Sequence, residues 1–406
     1  EALGLSYPEL FPAFIAKFLS ASTPDGFNPY RISEAGVDWE VPEEDDPWSH
    51  IGYWGDHQIV YLLRLLELDA DHHPGRLAAD LDRRVFSFAD VPYRLRPHAD
   101  MVADAKNTID FDRSRHDAII DRAGRVGADG RLAWDRDAVR HGSLAEKLLI
   151  ATLCKAAAWT PGGGLWLNTQ RPEWNDANNA LVGNGLSVVT VFHLVEWCRF
   201  LAGLFSDPAG PDRVALARPV ADWTDRTRKL LDTARDLGDA ASNPELRVSV
   251  RDKLGLSFER YRRDIEEGRW SEGERREVDR GTLAAFFALA AEVFTAEARR
   301  ARRSDGLVHS YNVTPRGPAA EPLAVEHLPL MLEGQAAAIG SGVLEPGDCA
   351  DLVDALAESR LYRQDLGAYL LQPERDLPGF LARNVIDEER VRSNPLAVAM
   401  LDAGDE

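Results

Sequence analysis

The chain has 406 residues, of which 45% are hydrophobic and 28% charged, as in an ordinary folded globular protein. Its formal net charge of −20 disfavours nucleic acids and anionic membranes as partners. No apolar run approaches the ~20 residues that span a bilayer. The three cysteines are too few and too widely spaced for a disulfide framework or a Cys-based zinc site. We therefore expect a cytoplasmic protein with no nucleic-acid or membrane partner.

Apolar residues recur at helical spacing along most of the chain. In chain order, the predicted helices cover residues 8–19, 56–68, 144–158, 178–205, 211–237, 244–267, 280–302, 324–339 and 346–359. The segment 178–205 is apolar almost all round, which is typical of a helix buried on every side. Only the segment 306–313 alternates in the way that favours a short strand.

A mixture of fully buried and amphipathic helices is typical of two concentric helix layers. We therefore expect an all-α fold, an (α/α)6 toroid or barrel. Residues 1–406 would form a single catalytic-type domain, and Glu1, which is not a methionine, suggests a fragment of a longer protein. A less regular bundle with the same number of helices is the alternative.

The segment 160–185 combines tryptophan, asparagine, arginine and carboxylate side chains. Aromatic faces stack on the C–H faces of a pyranose, while amides and carboxylates bind its hydroxyls. A carboxyl group beside indole rings can also hold a raised pKa and act as a general acid. The candidate residues are Arg171, Glu173, Trp174, Asn175 and Asp176. The alternative is a loop that caps a helix, since Asn175 and Asp176 are both good N-cap residues.

A second segment, 45–67, is acidic and aromatic and runs directly into a predicted helix. Its candidate sugar-binding residues are Trp54, Asp56, His57 and Gln58. Helix capping would explain Asp56 but not the cluster. His50 and His57 have no third ligand at a useful spacing, so we expect no metal. The chain has no nucleotide-binding motif, and we expect no cofactor.

Two further places carry candidate residues. His309 and Tyr311 lie in the segment 305–313, for which a plain strand or turn with solvated polar groups is the alternative. Glu333 lies in the apolar run 330–334, so it is either paired in the core or functional.

The segments 173–179 (EWNDANN) and 52–56 (GYWGD) resemble two motifs of the cellobiose and chitobiose phosphorylase family. The resemblance implies an (α/α)6 catalytic barrel. It also implies that Asp176 is the general acid that protonates the glycosidic oxygen, and that Asp56 and Trp174 bind the sugar in the cleaved subsite. The chain departs from the family where Trp54 and His50 stand in place of arginines, which leaves phosphorolysis open.

We therefore expect an inverting glycoside-cleaving enzyme, a hydrolase or a phosphorylase, that acts on an oligosaccharide or glycoside. If water attacks, a base carboxylate must lie roughly 6.5–9.5 Å from the acid. Glu333 is the first candidate for this base and Glu326 the second. If inorganic phosphate attacks, a cationic pocket replaces the base, and its candidate members are Arg171, His57, His309 and Arg316.

Two other classes of function remain open. A non-catalytic sugar-binding or interaction toroid within a larger protein would keep the tryptophans without needing paired carboxylates. A sugar epimerase or lyase on a helical toroid would use His309 and Tyr311 as its acid and base.

Overall fold

The computed structural model describes residues 6–28, 31–43, 45, 58–168, 181–270, 275–374 and 377–404. Helices cover 53% of this part of the chain and strands 15%, in several small antiparallel sheets that include one of five strands. The fold is therefore mixed α/β, and the prediction of an all-α (α/α)6 toroid is wrong.

The described α-helices differ widely in length, from one turn to six. They are α1 Phe11–Ser20, α2 Gln58–His72, α3 Arg76–Ala79, α4 His98–Ala103, α5 Arg113–Val126, α6 Leu144–Ala157, α7 Val189–Leu204, α8 Arg218–Leu237, α9 Pro244–Glu266, α10 Arg280–Arg299, α11 Leu332–Gly340, α12 Pro346–Ala357, α13 Phe380–Arg383, α14 Glu388–Ser393 and α15 Pro395–Asp402. Short 3-10 helices cover Pro8–Leu10, Gly127–Arg131 and Gly238–Ser242.

The described strands are two to five residues long. They are β1 Arg31–Ser33, β2 Gly36–Asp38, β3 Arg84–Ser87, β4 Tyr93–Leu95, β5 Ile109–Phe111, β6 Trp134–Asp135, β7 Ala138–Val139, β8 His141–Ser143, β9 Trp159–Thr160, β10 Gly164–Trp166, β11 Gly185–Ser187, β12 Arg213–Ala217, β13 Arg275–Asp279, β14 Tyr311–Val313, β15 Glu326–His327, β16 Tyr362–Arg363 and β17 Ala368–Tyr369.

Three of these strands account for the error in the predicted fold class. β11, β12 and β15 lie inside the segments 178–205, 211–237 and 324–339, each predicted as one helix. In β11 and β12 the buried residues Leu186, Val214 and Leu216 continue the apolar pattern of the helix that follows, whereas β15 is an exposed Glu-His pair that is too short to show a period of its own. The helices α7, α8 and α11 therefore begin later than the periodicity predicts.

The five-stranded sheet has the order β15-β14-β11-β10-β9, and every neighbouring pair is antiparallel. In the register of β11 against β14, Ser187 lies opposite Tyr311 and Gly185 opposite Val313. Val313 in turn lies opposite Glu326 of β15. Residues far apart in the sequence, from 159 to 327, therefore meet in one sheet.

Helices α7 and α10 form the centre of the main hydrophobic core. Phe205, just after α7, packs on Phe287 of α10 with ring centroids 4.9 Å apart, and Trp159 meets Phe294 edge-on at 5.5 Å. By length and composition α10 could cross a bilayer, and it is alone in this among the described helices. However, 67% of its apolar stretch is buried inside the protein, as in the core helix of a folded domain.

A fully buried carboxylate, Glu146, joins four elements. At the start of α6, Ser143 Oγ accepts from the Glu146 N–H (3.2 Å) and Glu146 Oε2 accepts from the Ser143 N–H (2.9 Å), which forms a capping box. The same carboxylate accepts from the N–H of Ala217 (2.6 Å), at the junction of β12 and α8, and lies 3.0 Å from Nη2 of Arg275 on β13. Glu146 therefore holds α6, α8 and the antiparallel strand pair β12–β13 together.

We expect Glu146→Ala to lower the free energy of unfolding by roughly 3–5 kcal/mol, because it leaves the Arg275 guanidinium and two backbone N–H groups without their acceptor. Glu292→Ala, at a position on α10 whose side chain is 62% exposed, should change stability by less than about 0.5 kcal/mol. Urea denaturation of both variants measures the difference, and equal stabilities would contradict the role of Glu146.

Candidate functional site

A cavity of about 270 Å³ lies between the turn after α1, the β3–β4 region, α5 and the end of α9. Its volume is near the lower limit of typical small-molecule pockets, which suits one sugar-sized ring. Aromatic, cationic and acidic side chains share its lining. They are Asp25, Asp90, Tyr93, Arg94, Arg115, Arg122, Trp134, Arg140, Arg262, Glu266 and Trp270.

The aromatic residues of the cavity are fixed by their own contacts. Trp270 is buried and packs edge-on against Phe88, with ring centroids 4.8 Å apart. The Arg140 guanidinium lies over the Trp270 ring, 4.9 Å from its centroid. The Tyr93 hydroxyl donates to the Glu40 carbonyl oxygen at 2.5 Å. These rings therefore form a rigid apolar wall.

The carboxylate of Asp90 is held by two arginines of α5. Arg115 donates to Oδ1 through Nε (2.9 Å) and Nη2 (2.6 Å), and Arg122 Nη2 donates to Oδ2 (2.6 Å). Arg122 also donates to the Gly130 carbonyl oxygen at 2.7 Å. Charge-assisted bonds of this kind fix the geometry of all three side chains.

Asp25 differs from Asp90, because its nearest partner is a hydroxyl. Thr23 Oγ1 lies 2.5 Å from Asp25 Oδ1 and 2.9 Å from the Phe27 carbonyl oxygen, and it accepts from the Phe27 N–H at 3.0 Å. A hydroxyl has one proton, so it cannot donate to both oxygens. The Phe27 carbonyl oxygen also accepts from the Thr23 N–H at 2.6 Å, so the Thr23 hydroxyl donates to Asp25 Oδ1.

The surroundings of Asp25 shift the pKa of its carboxyl group. Burial raises the pKa of this carboxyl above its ordinary value, although the Thr23 hydrogen bond and the charges of Arg262 and Arg115 oppose the rise. Desolvation therefore favours the neutral form of Asp25 more than that of an exposed aspartate.

Described residues that precede the two predicted sugar-binding segments are connected to the cavity wall by hydrogen bonds, directly for Glu40 and through Thr108 and Arg96 for Asn168. The carbonyl oxygen of Asn168, the last described residue before 169–180, accepts from Thr108 Oγ1 at 2.6 Å. The Thr108 carbonyl oxygen accepts from the Arg96 N–H at 2.9 Å, and Leu95 lines the cavity. On the other side, Glu40 precedes the segment 46–57 and is bound by Tyr93 of the cavity wall.

The predicted residues within those two segments lie outside the described residues. They are Trp54, Asp56, His57, Arg171, Glu173, Trp174, Asn175 and Asp176. Gln58 is the first residue of α2.

The remaining predicted residues lie together around β14. The start of α11 is hydrogen-bonded to the strand, since Ser310 Oγ accepts from the Gly334 N–H at 2.9 Å and Gln335 pairs with both the N–H and the carbonyl of Val308. Glu333 is thereby brought beside His309 and Tyr311, and Tyr311 is buried in the sheet. Glu326 lies at the other end of β14, opposite Val313.

His309 stacks on His327 with ring centroids 3.7 Å apart and ring planes 11° from parallel. The Asn312 amide donates to the Gly163 carbonyl oxygen at 2.6 Å, so its own oxygen accepts from Nδ1 of His327 at 2.7 Å. Burial lowers the pKa of His309 to about 4, and the charges of His327 and Arg303 add to the shift. Burial also lowers the pKa of His327. Two neutral rings at pH 7 can stack without repulsion.

No described group of three or more His, Cys, Asp and Glu side chains is arranged to hold a metal ion. Sequence reasoning missed the cavity residues because Asp25, Asp90, Arg140 and Arg262 come from four separate segments. Only Trp134 and Trp270 could have suggested a binding site from the sequence, and single tryptophans are more often core residues.

The comparisons with known proteins place no constraint on the function. No protein-family model matches the chain, and no curated protein matches it. The geometry of the site has to carry the functional argument.

We expect the stacked histidines to make stability depend on pH. His309 has a folded-state pKa of about 4 against 6.5 for an ordinary histidine, so between these values the unfolded chain binds more protons than the folded one. The stabilising contribution is complete above about pH 6.5 and falls as the pH drops towards 4.

His309→Gln should therefore have a flatter dependence of melting temperature on pH between 4 and 6.5 than the unmodified protein. His141→Gln, at an exposed position on β8, serves as the control and should keep the original slope. Thermal unfolding followed by circular dichroism across this pH range tests both. A slope that His309→Gln leaves unchanged would rule out the stacked pair as its source.

Proposed function

We propose that this protein is a carbohydrate-active enzyme that cleaves a glycosidic bond with inversion and seats one sugar ring in the cavity. The observation that carries the proposal is the position of the cavity. The Glu40 carbonyl oxygen accepts from Tyr93 of the cavity wall, and Asn168 is connected to the wall through Thr108 and Arg96, next to the lining. Glu40 and Asn168 each precede one of the two segments with sugar-binding character, so described residues next to both segments are connected to the same cavity.

The lining of the cavity supports a sugar ligand in particular. Tryptophan faces stack on the apolar faces of a pyranose, and Trp134 and Trp270 both line the cavity. Each sugar hydroxyl donates and accepts one or more hydrogen bonds, so it needs partners of both kinds. The guanidinium groups of the lining would donate, and carboxylates such as Glu266 would accept.

We propose Asp176 as the general acid. Its proton passes to the glycosidic oxygen as the bond from that oxygen to the anomeric carbon breaks. Water adds to the opposite face of the anomeric carbon and loses a proton to a base carboxylate, for which Glu333 and then Glu326 are the candidates. In the phosphorolytic variant inorganic phosphate adds instead, and no base is needed.

Asp176→Asn should lower kcat by about 10²–10⁴ for a disaccharide, because its alkoxide leaving group needs a proton. The loss should be much smaller for an aryl glycoside with an acidic phenol as leaving group. Asp239→Asn, at a position 99% exposed, is the matched control and should keep full activity. The purified protein is assayed against disaccharide and aryl-glycoside panels with and without inorganic phosphate.

The assays with and without phosphate, together with the two base variants, distinguish a phosphorylase, a hydrolase and a sugar-binding protein. Turnover only with phosphate would assign a phosphorylase. Turnover without phosphate would assign a hydrolase, and its base would be whichever of Glu333→Gln and Glu326→Gln abolishes it. No turnover in either arm, with sugar binding retained, would overturn catalysis in favour of a sugar-binding protein.

A further inference from the structure

Trp39 and His116 form a hydrogen-bonded pair between β2 and α5. Trp39 directly follows β2 and is only 4% exposed. Its indole Nε1 donates to Nδ1 of His116, near the start of α5, at 3.1 Å. The two rings meet edge-on, with centroids 6.0 Å apart and ring planes at 84°. The pair therefore joins two elements that are 77 residues apart in the sequence.

The direction of this hydrogen bond fixes the charge of His116. An indole N–H can only donate, so Nδ1 of His116 has to offer its lone pair, and the neutral ring carries its proton on Nε2. A protonated imidazole has N–H groups at both nitrogens and no acceptor. One proton added to His116 therefore breaks the bond and leaves the buried N–H of Trp39 without its acceptor.

A charged group of a neighbouring element faces the pair on the Trp39 side. The Arg131 guanidinium, at the end of the 3-10 helix Gly127–Arg131, lies over the Trp39 ring, 5.5 Å from its centroid. Arg131 also binds Asp38 of β2 at 3.2 Å, and Asp38 binds Arg31 at 3.0 Å. The indole ring is thus held beside a fixed positive charge.

The surroundings of His116 favour its neutral form. Burial lowers the pKa of His116 below its ordinary value, Asp117 on α5 opposes the shift, and Arg113 and Arg131 add to it. From β5, the uncharged ring of Phe111 packs against His116 with centroids 5.5 Å apart. The hydrogen bond from Trp39 is therefore present at pH 7 and is lost at acidic pH.

The pair is connected to the cavity wall by two routes. Glu40 follows Trp39, and its carbonyl oxygen accepts from the hydroxyl of Tyr93, which lines the cavity, at 2.5 Å. The Phe111 ring, which packs against His116, also meets Tyr93 edge-on with centroids 5.7 Å apart. A displacement of either member of the pair therefore displaces a direct neighbour of Tyr93.

We propose that Trp39 and His116 form an acid-sensitive switch, in which protonation of His116 releases Trp39 from α5 and changes the position of Tyr93 in the cavity wall. At neutral pH the bond is made and the wall has the arrangement described above. The inference does not depend on which ligand the cavity binds, so its test is separate from that of the proposed function.

A pH titration of the full chain, followed by NMR, tests the switch. The protein carries isotopically labelled tryptophan and fluorinated tyrosine, and Trp39→Phe and Tyr93→Phe assign the two signals. The titration runs from about pH 7.5 to about pH 4.5, which brackets the ordinary histidine pKa of about 6.5. The indole proton of Trp39 should move upfield on acidification, with a midpoint below pH 6.5. The fluorine signal of Tyr93 should move with the same midpoint.

Two other tryptophans are internal references. The indole N–H groups of Trp134 and Trp166 donate to the carbonyl oxygens of Asp129 (2.9 Å) and Gly183 (2.8 Å), and a backbone carbonyl does not titrate. Their signals should stay in place over the whole range. Movement of these references with the midpoint of Trp39 would show unfolding of the whole protein, which would overturn the switch.

Variants of His116 assign the titration to this residue. His116→Asn keeps an acceptor near the position of Nδ1 but cannot be protonated, so the signals of Trp39 and Tyr93 should keep their neutral-pH positions throughout. His116→Leu has no acceptor, so Trp39 should show its acidic position at every pH. His141→Gln, at an exposed position on β8, should titrate as the unmodified protein does. Should His116→Leu not fold, as judged by circular dichroism, His116→Asn decides the question.

Three results would overturn the inference. A Trp39 signal that stays constant in the unmodified protein would show that its bond does not respond to acid. A signal that moves equally in His116→Asn would assign the titration to another group. Movement of Trp39 without movement of Tyr93 would confine the change to the pair and remove its connection with the cavity.

Discussion

The buried arginines of α9 connect the five-stranded sheet to the cavity. Arg247 donates to the carbonyl oxygens of Pro161 and Leu323 beside the sheet, and Arg262 donates to that of Arg96 beside the cavity. The two arginines are fifteen residues apart on one face of the helix, roughly 22 Å along its axis. A hydrogen bond from a charged donor contributes about 1.5–3 kcal/mol. The loops at both places are thus fixed to one rigid element, so the shape of the cavity depends on how α9 docks.

The long helices could be predicted from the sequence because their hydrophobic period repeats several times. Helices α6, α9 and α10 begin and end within three residues of the predicted bounds. Strands of two to five residues cannot repeat a period often enough to be recognised. β11 is apolar and buried, so it reads as part of the apolar run that follows it. The partner strand β14 is more than a hundred residues away, and pairing at that distance leaves no local pattern. This is why the helices were predictable and the fold class was not.

The candidate site likewise contains residues that the sequence indicates and residues that it does not. Segments that concentrate several sugar-binding residue types stand out in a sequence, and so do His309 and Glu333. The cavity is assembled from single residues such as Asp25, Arg140 and Arg262, each ordinary in its own segment. Their significance comes from tertiary packing, which brings them to one cavity. No spacing rule identifies residues that meet only through packing.

The five-stranded sheet places the two candidate bases, Glu326 and Glu333, at different positions. Glu326 lies opposite Val313, and Val313 lies opposite Gly185 of β11. The Gly185 carbonyl oxygen accepts from the Leu167 N–H at 3.0 Å, and Leu167 precedes the segment of the sequence that contains Asp176. Glu333 lies at the other end of β14, near His309, whereas Glu326 directly precedes His327 in β15. Three residues of strand separate these ends by roughly 7 Å. An inverting hydrolase needs a fixed gap between acid and base, so the two carboxyl groups cannot be interchangeable. Glu326 as the base would place the reaction next to His327 on β15, and Glu333 would place it next to His309. Because the two rings stack on each other, catalysis with either base would depend on the pH at which the histidine pair remains neutral.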